Sequence, residues 1–112
     1  GTPTDIIEQE ETSAPVPVSF VFEQNYPNPF NPETKIVFHI PQEAGRQFVT
    51  VKIYDLLGRL VRVLFAAEVL PGRYEVTWDG MDNLQRPMPS GVYIYRLEAG
   101  AVTLSRSMVL LR

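Results

Sequence analysis

The 112-residue sequence has no cysteine and a single histidine. The first absence excludes a disulfide framework, a thiolate metal site and thiol catalysis. With His39 as the one imidazole, nucleophilic chemistry would need a serine or threonine beside that ring. No Gly-x-Ser-x-Gly elbow and no phosphate-cradling glycine loop is there to position such a group. Apolar runs near the roughly 20 residues of a membrane helix are missing, and residues 1–23 lack the basic start and apolar middle of a signal peptide. Positive charge is scarce as well: 10 Lys and Arg face 13 Asp and Glu. That balance speaks against a nucleic-acid partner, which needs a clustered basic face.

What the sequence does have is proline, ten in all, and 45% hydrophobic residues broken into short runs. Seven prolines lie at or before Pro41, and Pro71, Pro87 and Pro89 fall between apolar runs, so none interrupts a candidate strand. Gly45, Gly58, Gly72, Gly80, Gly91 and Gly100 follow at intervals of 8 to 14 residues. Turn signals at that spacing predict an antiparallel sandwich or barrel.

Charge divides the chain. Residues 1–23 hold Asp5, Glu8, Glu10, Glu11 and Glu23 without a base, a net −5, and the remainder is +2. Residues 1–19 are expected to form an acidic, Pro-containing linker to an upstream domain, with one helical turn conceivable over 5–11, and residues 20–112 a single domain. The start on Gly rather than Met fits a part of a longer protein.

From Phe20 onward the runs alternate. Phe20 and Phe22 predict a short first strand. Ile36, Phe38 and Ile40 give the second one apolar face, with Lys35 and His39 opposite; Val49, Val51 and Ile53 do the same for the third. A run over 60–65 follows the turn at 55–59, then Tyr74, Val76 and Trp78, then Tyr93, Tyr95 and Leu97, and finally residues 102–111. The fold class expected is all-β: a seven-stranded, immunoglobulin-like antiparallel β-sandwich.

Candidate chemistry is thin. His39 is out of phase with its apolar neighbours, which makes it an exposed strand residue rather than a base. Asp79, Asp82 and Asn83 are hard oxygen donors in one loop and would suit Ca²⁺, yet beside Gly80 they are better read as turn caps, and the remaining acids of an EF-hand are missing. An exposed aromatic row would suit carbohydrate. Trp78, Tyr74, Tyr93 and Tyr95 are in phase with core positions instead, leaving Tyr26 and Tyr54 as surface aromatics. Catalytic, cofactor-binding and metal sites are therefore all expected to be absent.

Two segments stand out. In Asn25-Tyr26-Pro27-Asn28-Pro29-Phe30-Asn31-Pro32 three prolines and three asparagines hold the backbone in turns, with Tyr26 and Phe30 as anchors. Residues 102–112 end the sequence on an apolar strand.

These segments, with Thr34-Lys35-Ile36, Ile53-Tyr54-Asp55-Leu56-Leu57-Gly58-Arg59, Trp78-Asp79-Gly80, Ser90-Gly91-Val92-Tyr93 and Met108-Val109-Leu110-Leu111, resemble the type A C-terminal sorting domain of the type IX secretion system. They are also similar to the immunoglobulin-like domain of flagellar hook-capping proteins. The first resemblance implies a non-catalytic domain of a secreted, often hydrolytic, protein of the Bacteroidetes and relatives. Its partners would be the outer-membrane translocon, a sortase-like peptidase and the upstream passenger, and its destination the cell surface by way of the periplasm. No cofactor, nucleic acid or membrane span is implied.

Carried over by position, recognition falls on Met108, Val109, Leu110, Leu111 and Arg112, in an exposed strand open to strand addition. Gly58 would hold a tight turn and Gly91 the start of the sixth strand. The linker would offer the peptidase its cleavage site before Phe20. Where the family often places a glycine two or three residues after the second loop aspartate, this sequence has Asn83-Leu84-Gln85 after Asp82, and Asn83 is expected to supply the left-handed residue so that the turn survives. The alternatives are a structural immunoglobulin-like module of a hook cap or scaffold, and a carbohydrate-binding module.

Overall fold

Apolar residues at every second position direct the fold, because in an extended chain they share one face. The computed structural model describes residues 19–112. Among them are seven strands: β1 (Val21–Phe22), β2 (Thr34–Ile40), β3 (Gln47–Tyr54), β4 (Leu60–Val69), β5 (Gly72–Trp78), β6 (Gly91–Ala99) and β7 (Val102–Leu110). They form two antiparallel sheets, ordered β1-β2-β5 and β4-β3-β6-β7. A short 3-10 turn, Gln42–Ala44, carries the chain from one sheet to the other. The linker, the helical turn over 5–11 and the cleavage site lie outside the described residues, apart from residue 19.

The inner faces meet as expected. Ile36, Phe38 and Ile40 of β2 pack against Val49, Val51 and Ile53 of β3 and Tyr93, Tyr95 and Leu97 of β6, all buried. Each fully buried aliphatic or phenyl side chain contributes about 1.5–3 kcal/mol relative to exposure. Trp78 closes one end, edge-on to Tyr93 at 5.4 Å between ring centroids and tilted against Phe30 at 5.6 Å. Tyr74 stacks on Phe38. The aromatics assigned to packing are thus in the core or against it.

The fourth run is longer than expected. β4 continues to Val69, and its pairing with β3 slips twice: Val51 faces Phe65 while Lys52 faces Val63, and Ile53 faces Arg62 while Tyr54 faces Leu60. Each slip adds one residue to β4, Leu64 and then Val61. Beyond the bulges residues 65–69 pair in regular register, but Ala66 and Ala67 offer no contrast between the two faces, so the run does not reveal its length. At the other end of the chain, Phe22 lies in β1 and is buried, and Phe20 packs against the core just before the strand.

Candidate functional site

The strand carrying the expected recognition residues, β7, is an edge of the four-stranded sheet. Its last residues alternate like any core strand. Met108 and Leu110 point inward and are buried, so their side chains are packing, while Leu111 is exposed and Val109 half-exposed.

The expected open edge needs correction over the last turn of this strand. The Asn-Pro-rich block lies along it and takes up its outward backbone groups. Phe30 N–H donates to the Val109 carbonyl at 3.0 Å, Leu111 N–H donates to the Phe30 carbonyl at 2.9 Å, and Val109 N–H donates to Asn28 Oδ1 at 2.9 Å. Further along, Gln24 Nε2 donates to the Ser107 carbonyl at 2.9 Å and the Arg106 guanidinium to the Phe22 carbonyl. Residues 22–30 and 106–111 thus form a seam joining the two sheets. Phe30 locks it, its ring buried beside Trp78.

The block is shaped by a buried polar knot. Asn25 donates from Nδ2 to Thr34 Oγ1 at 2.9 Å and to the Pro27 carbonyl at 3.1 Å, and its backbone N–H donates to the Tyr95 hydroxyl at 2.8 Å. That hydroxyl donates onward to the Glu23 carbonyl. Burial pushes the Tyr95 phenol above its ordinary pKa, which keeps it a donor. With Asn25 turned inward, Tyr26 is turned out. At 79% exposure Tyr26 is the surface aromatic its phase suggested and not an anchor of the block; its backbone alone is held, by two bonds to Lys35. The peptide bonds before Pro27, Pro29 and Pro32 are cis. Pro29 and Asn31 sit at the surface beside the buried Phe30.

Arg112 is clasped by the loop over 79–90. Its backbone N–H donates to Ser90 Oγ at 2.8 Å, and its guanidinium donates to the carbonyls of Gly80 and Met88. Gly80, at φ 77°, permits this approach: a Cβ there would sit 2.8 Å from Arg112 Nη2. Gly91 opens β6 directly beyond Ser90.

That loop also contains a turn that sequence reasoning overlooked as a repeat. Asp55-Leu56-Leu57-Gly58-Arg59 and Asp82-Asn83-Leu84-Gln85-Arg86 fold alike. In the first, Asp55 Oδ1 accepts from the Leu57 and Arg59 N–H groups, at 3.0 and 2.9 Å, and Oδ2 accepts from Arg59 Nε at 2.7 Å. In the second, Asp82 Oδ1 accepts from Leu84 and Arg86 N–H, both at 2.9 Å, and Oδ2 from Arg86 Nε at 2.8 Å. The spacing Asp-x-Leu-x-Arg, present twice, was the available signal. Backbone hydrogen bonds, first from Arg59 and Arg86 respectively, hold both carboxyls below the usual range.

The left-handed residue of the second turn is Gln85, at φ 64°, in the place of Gly58, at φ 84°; it is not Asn83. Asn83 is committed elsewhere, its Oδ1 accepting from Val63 N–H and its own N–H donating to the Val61 carbonyl. Asp79 Oδ1 accepts from Arg62 and from the Met81 N–H. The three loop donors considered for Ca²⁺ therefore cap backbone or pair with arginine, and no group of three His, Cys, Asp or Glu among the described residues could hold a metal. Between the twin turns lies a cleft of about 540 Å³, bordered by Arg59, Arg86, Leu60, Leu84, Pro87 and Met88.

The other candidates are scattered. His39 is partly covered and lies 2.6 Å from Glu23 Oε2 on the outer face of the three-stranded sheet. Tyr54 is covered by the Arg96 guanidinium, 4.6 Å above its ring. His39 thus touches the outer side of the seam through Glu23 and Tyr54 does not meet it; neither residue lines the cleft.

Residues 25–102 match the family described as the FlgD Ig-like domain. Two solved structures from Porphyromonas gingivalis share the fold. One is dimeric latent PorU, with a TM-score of 0.63 and 21% identity over 92% of this chain and 10% of that one. The other is PorZ, described as an essential bacterial surface component of the type-IX secretion system, with a TM-score of 0.52 and 26% identity over 80% of this chain and 11% of that one. This chain thus spans about a tenth of either protein. No curated protein matches it. The match covers more than half of the sequence, and the chain belongs to the FlgD Ig-like domain family.

Proposed function

We propose that this FlgD Ig-like domain is a non-catalytic C-terminal secretion and sorting module of type A. It directs an upstream passenger, a secreted hydrolase, through the type IX outer-membrane translocon and to attachment at the cell surface. The observation that supports this most is the likeness to PorZ, a type-IX surface component, over 80% of the chain. The seam adds a physical reason. A recognition strand whose last residues are held in one conformation presents Val109, Leu111 and the backbone near Arg112 in a fixed array, which lowers the ordering cost of binding.

The translocon and a sortase-like peptidase are the partners of this reading. A reporter fused ahead of the full chain should reach the surface of a type IX-competent cell and remain periplasmic in one lacking the translocon. Leu111→Asp, at an exposed side chain, should reduce display without changing the melting temperature of the purified chain. Equal display with and without the translocon overturns the proposal.

The family match itself favours a second reading, a structural immunoglobulin-like module of a hook cap or scaffold. That module works by assembly, so concentration-dependent self-association of the chain in sedimentation, together with failure of the reporter to be displayed, would select it.

A further inference from the structure

The sheet edges of this sandwich are protected unequally. β4 is interrupted by two bulges and bonded at Val61 and Val63 by Asn83, and the end of β7 is clamped by the seam. β5, an edge of the three-stranded sheet, has neither device. It pairs with β2 through seven positions without a slip, contains no proline and turns no charge inward. A flat, regular edge of that kind is a template for another strand. Its free backbone groups follow from the alternation of an antiparallel ladder. Lys35 and Val37 bond on the β1 side, to Tyr26 and Glu23, so Ile36 and Phe38 bond Val76 and Tyr74. The N–H and C=O groups of Arg73, Glu75 and Thr77 therefore point away from the sheet, where no described residue bonds them. An added strand would also find apolar surface to cover. This sheet is one strand narrower than the one it faces, and Tyr74, Val76 and Phe65 are only half-buried, Tyr74 and Phe65 both packing on Phe38.

We propose that a second copy of this chain supplies that strand, β5 pairing antiparallel with β5 across a two-fold axis. Charge selects the register. The outward residues Arg73, Glu75 and Thr77 must face one another, and centring the axis on Arg73 or on Glu75 sets like charges directly opposite, which is destabilising. Centring it on Val76 pairs Glu75 with Thr77 and leaves Arg73 beyond the end of the paired strands. Centring it on Tyr74 sets each Arg73 against Glu75 of the other copy, in two hydrogen-bonded pairs. The same register places Gly72 opposite Val76 and Tyr74 against Tyr74 at the axis, an aromatic pair in a closely spaced position. The contacts already present, Arg73 to Glu75 at 3.4 Å and Lys35 to Glu75 at 3.6 Å, join exposed side chains within one copy; the cross-strand pairs close them into a ring and displace neither. The contact is independent of both functional readings, which are separated by whether the reporter is displayed.

Sedimentation of the full chain should show a monomer–dimer equilibrium that shifts with concentration; a chain monomeric throughout overturns the proposal. The absence of cysteine lets the register be read directly. Arg73→Cys chains mixed with Glu75→Cys chains should form a disulfide-linked heterodimer under mild oxidation, because facing residues of a hydrogen-bonded pair lie about 5.5 Å apart between Cα atoms, within disulfide reach. Either variant alone, and Arg73→Cys mixed with Thr77→Cys, places the thiols on a diagonal of about 7–8 Å and should cross-link on the order of tenfold more slowly. Equal rates in all of these overturn the proposal. Glu75→Arg should abolish the dimer without changing the melting temperature, and Arg73→Glu added to it should restore the dimer by exchanging the charges. Self-association that survives Glu75→Arg places the contact on another face and also overturns the proposal.

Discussion

Residues 102–105 and 107–110 belong to one strand, yet their outward edges meet different surroundings. Along the second stretch every outward backbone group, from the Ser107 carbonyl to the Leu111 N–H, has its partner in Gln24, Asn28 or Phe30. By the same alternation the N–H and C=O groups of Thr103 and Ser105 point away from β6, and no described residue bonds them. The inner faces differ in parallel: Met108 and Leu110 are buried and Leu104 is half-buried. A sheet edge is usually protected by charge, proline or a covering loop. Here a proline-rich loop does this for one half of a strand and leaves the other as a template for pairing.

The largest test of that contrast is Phe30→Ala, which should cost about 3–5 kcal/mol, as for other buried phenylalanines. It should also raise amide exchange at Val109 and Leu111 to the rate at Ser105. Unchanged protection at these two amides would show that the seam does not depend on its anchor. Next, Leu110→Ala should cost about 2–5 kcal/mol and Leu104→Ala about half as much, because less of its side chain leaves water on folding. Equal losses on denaturant unfolding would erase the difference between the halves. Asn28→Ala removes one acceptor from the second half and should cost about 0.5–1.5 kcal/mol, with faster exchange confined to Val109.

Two smaller effects concern the tip next to the clamped half. Gln85→Gly relieves a left-handed glutamine and should stabilise by no more than about 1 kcal/mol, while Gly58→Gln should cost a similar amount. Asp55 and Asp82 have carboxyls lowered on folding, so their contribution is complete above the ordinary carboxylate pKa of 3.8 and is lost as pH falls through the lowered values. Asp55→Asn with Asp82→Asn should therefore flatten the fall in melting temperature on acidification. An unchanged slope would place the acid sensitivity elsewhere.

Much of the sandwich was legible because period two is a property of the backbone: Ile36, Phe38, Ile40, Val49, Val51 and Ile53 could face only one way together. The extent of β4 was not, since the strand continues through Ala66 and Ala67, which show no contrast between its two faces. Asn83 was the chemically reasonable left-handed residue, but position in the turn decides, and the slot matching Gly58 falls on Gln85. Tyr26 and Phe30 are both aromatic and both next to proline. Which of them anchors depends on Asn25, whose partner Tyr95 lies 70 residues away. Non-local bonds of that kind, like the seam itself, leave no mark on nearby sequence.

The seam has a mechanical meaning. The chain at residue 19 lies at one end of the sandwich and Arg112 at the other, and where Phe30 meets Leu110 the two segments run parallel. A pull applied between those points would slide residues 22–30 along β7, stretching the hydrogen bonds of the seam together rather than opening them one at a time. Such an interface yields by shear, so the domain should withstand tension along its length far better than the same number of bonds arranged as a zipper. A module hauled by one end while a bulky neighbour drags on the other would keep its shape.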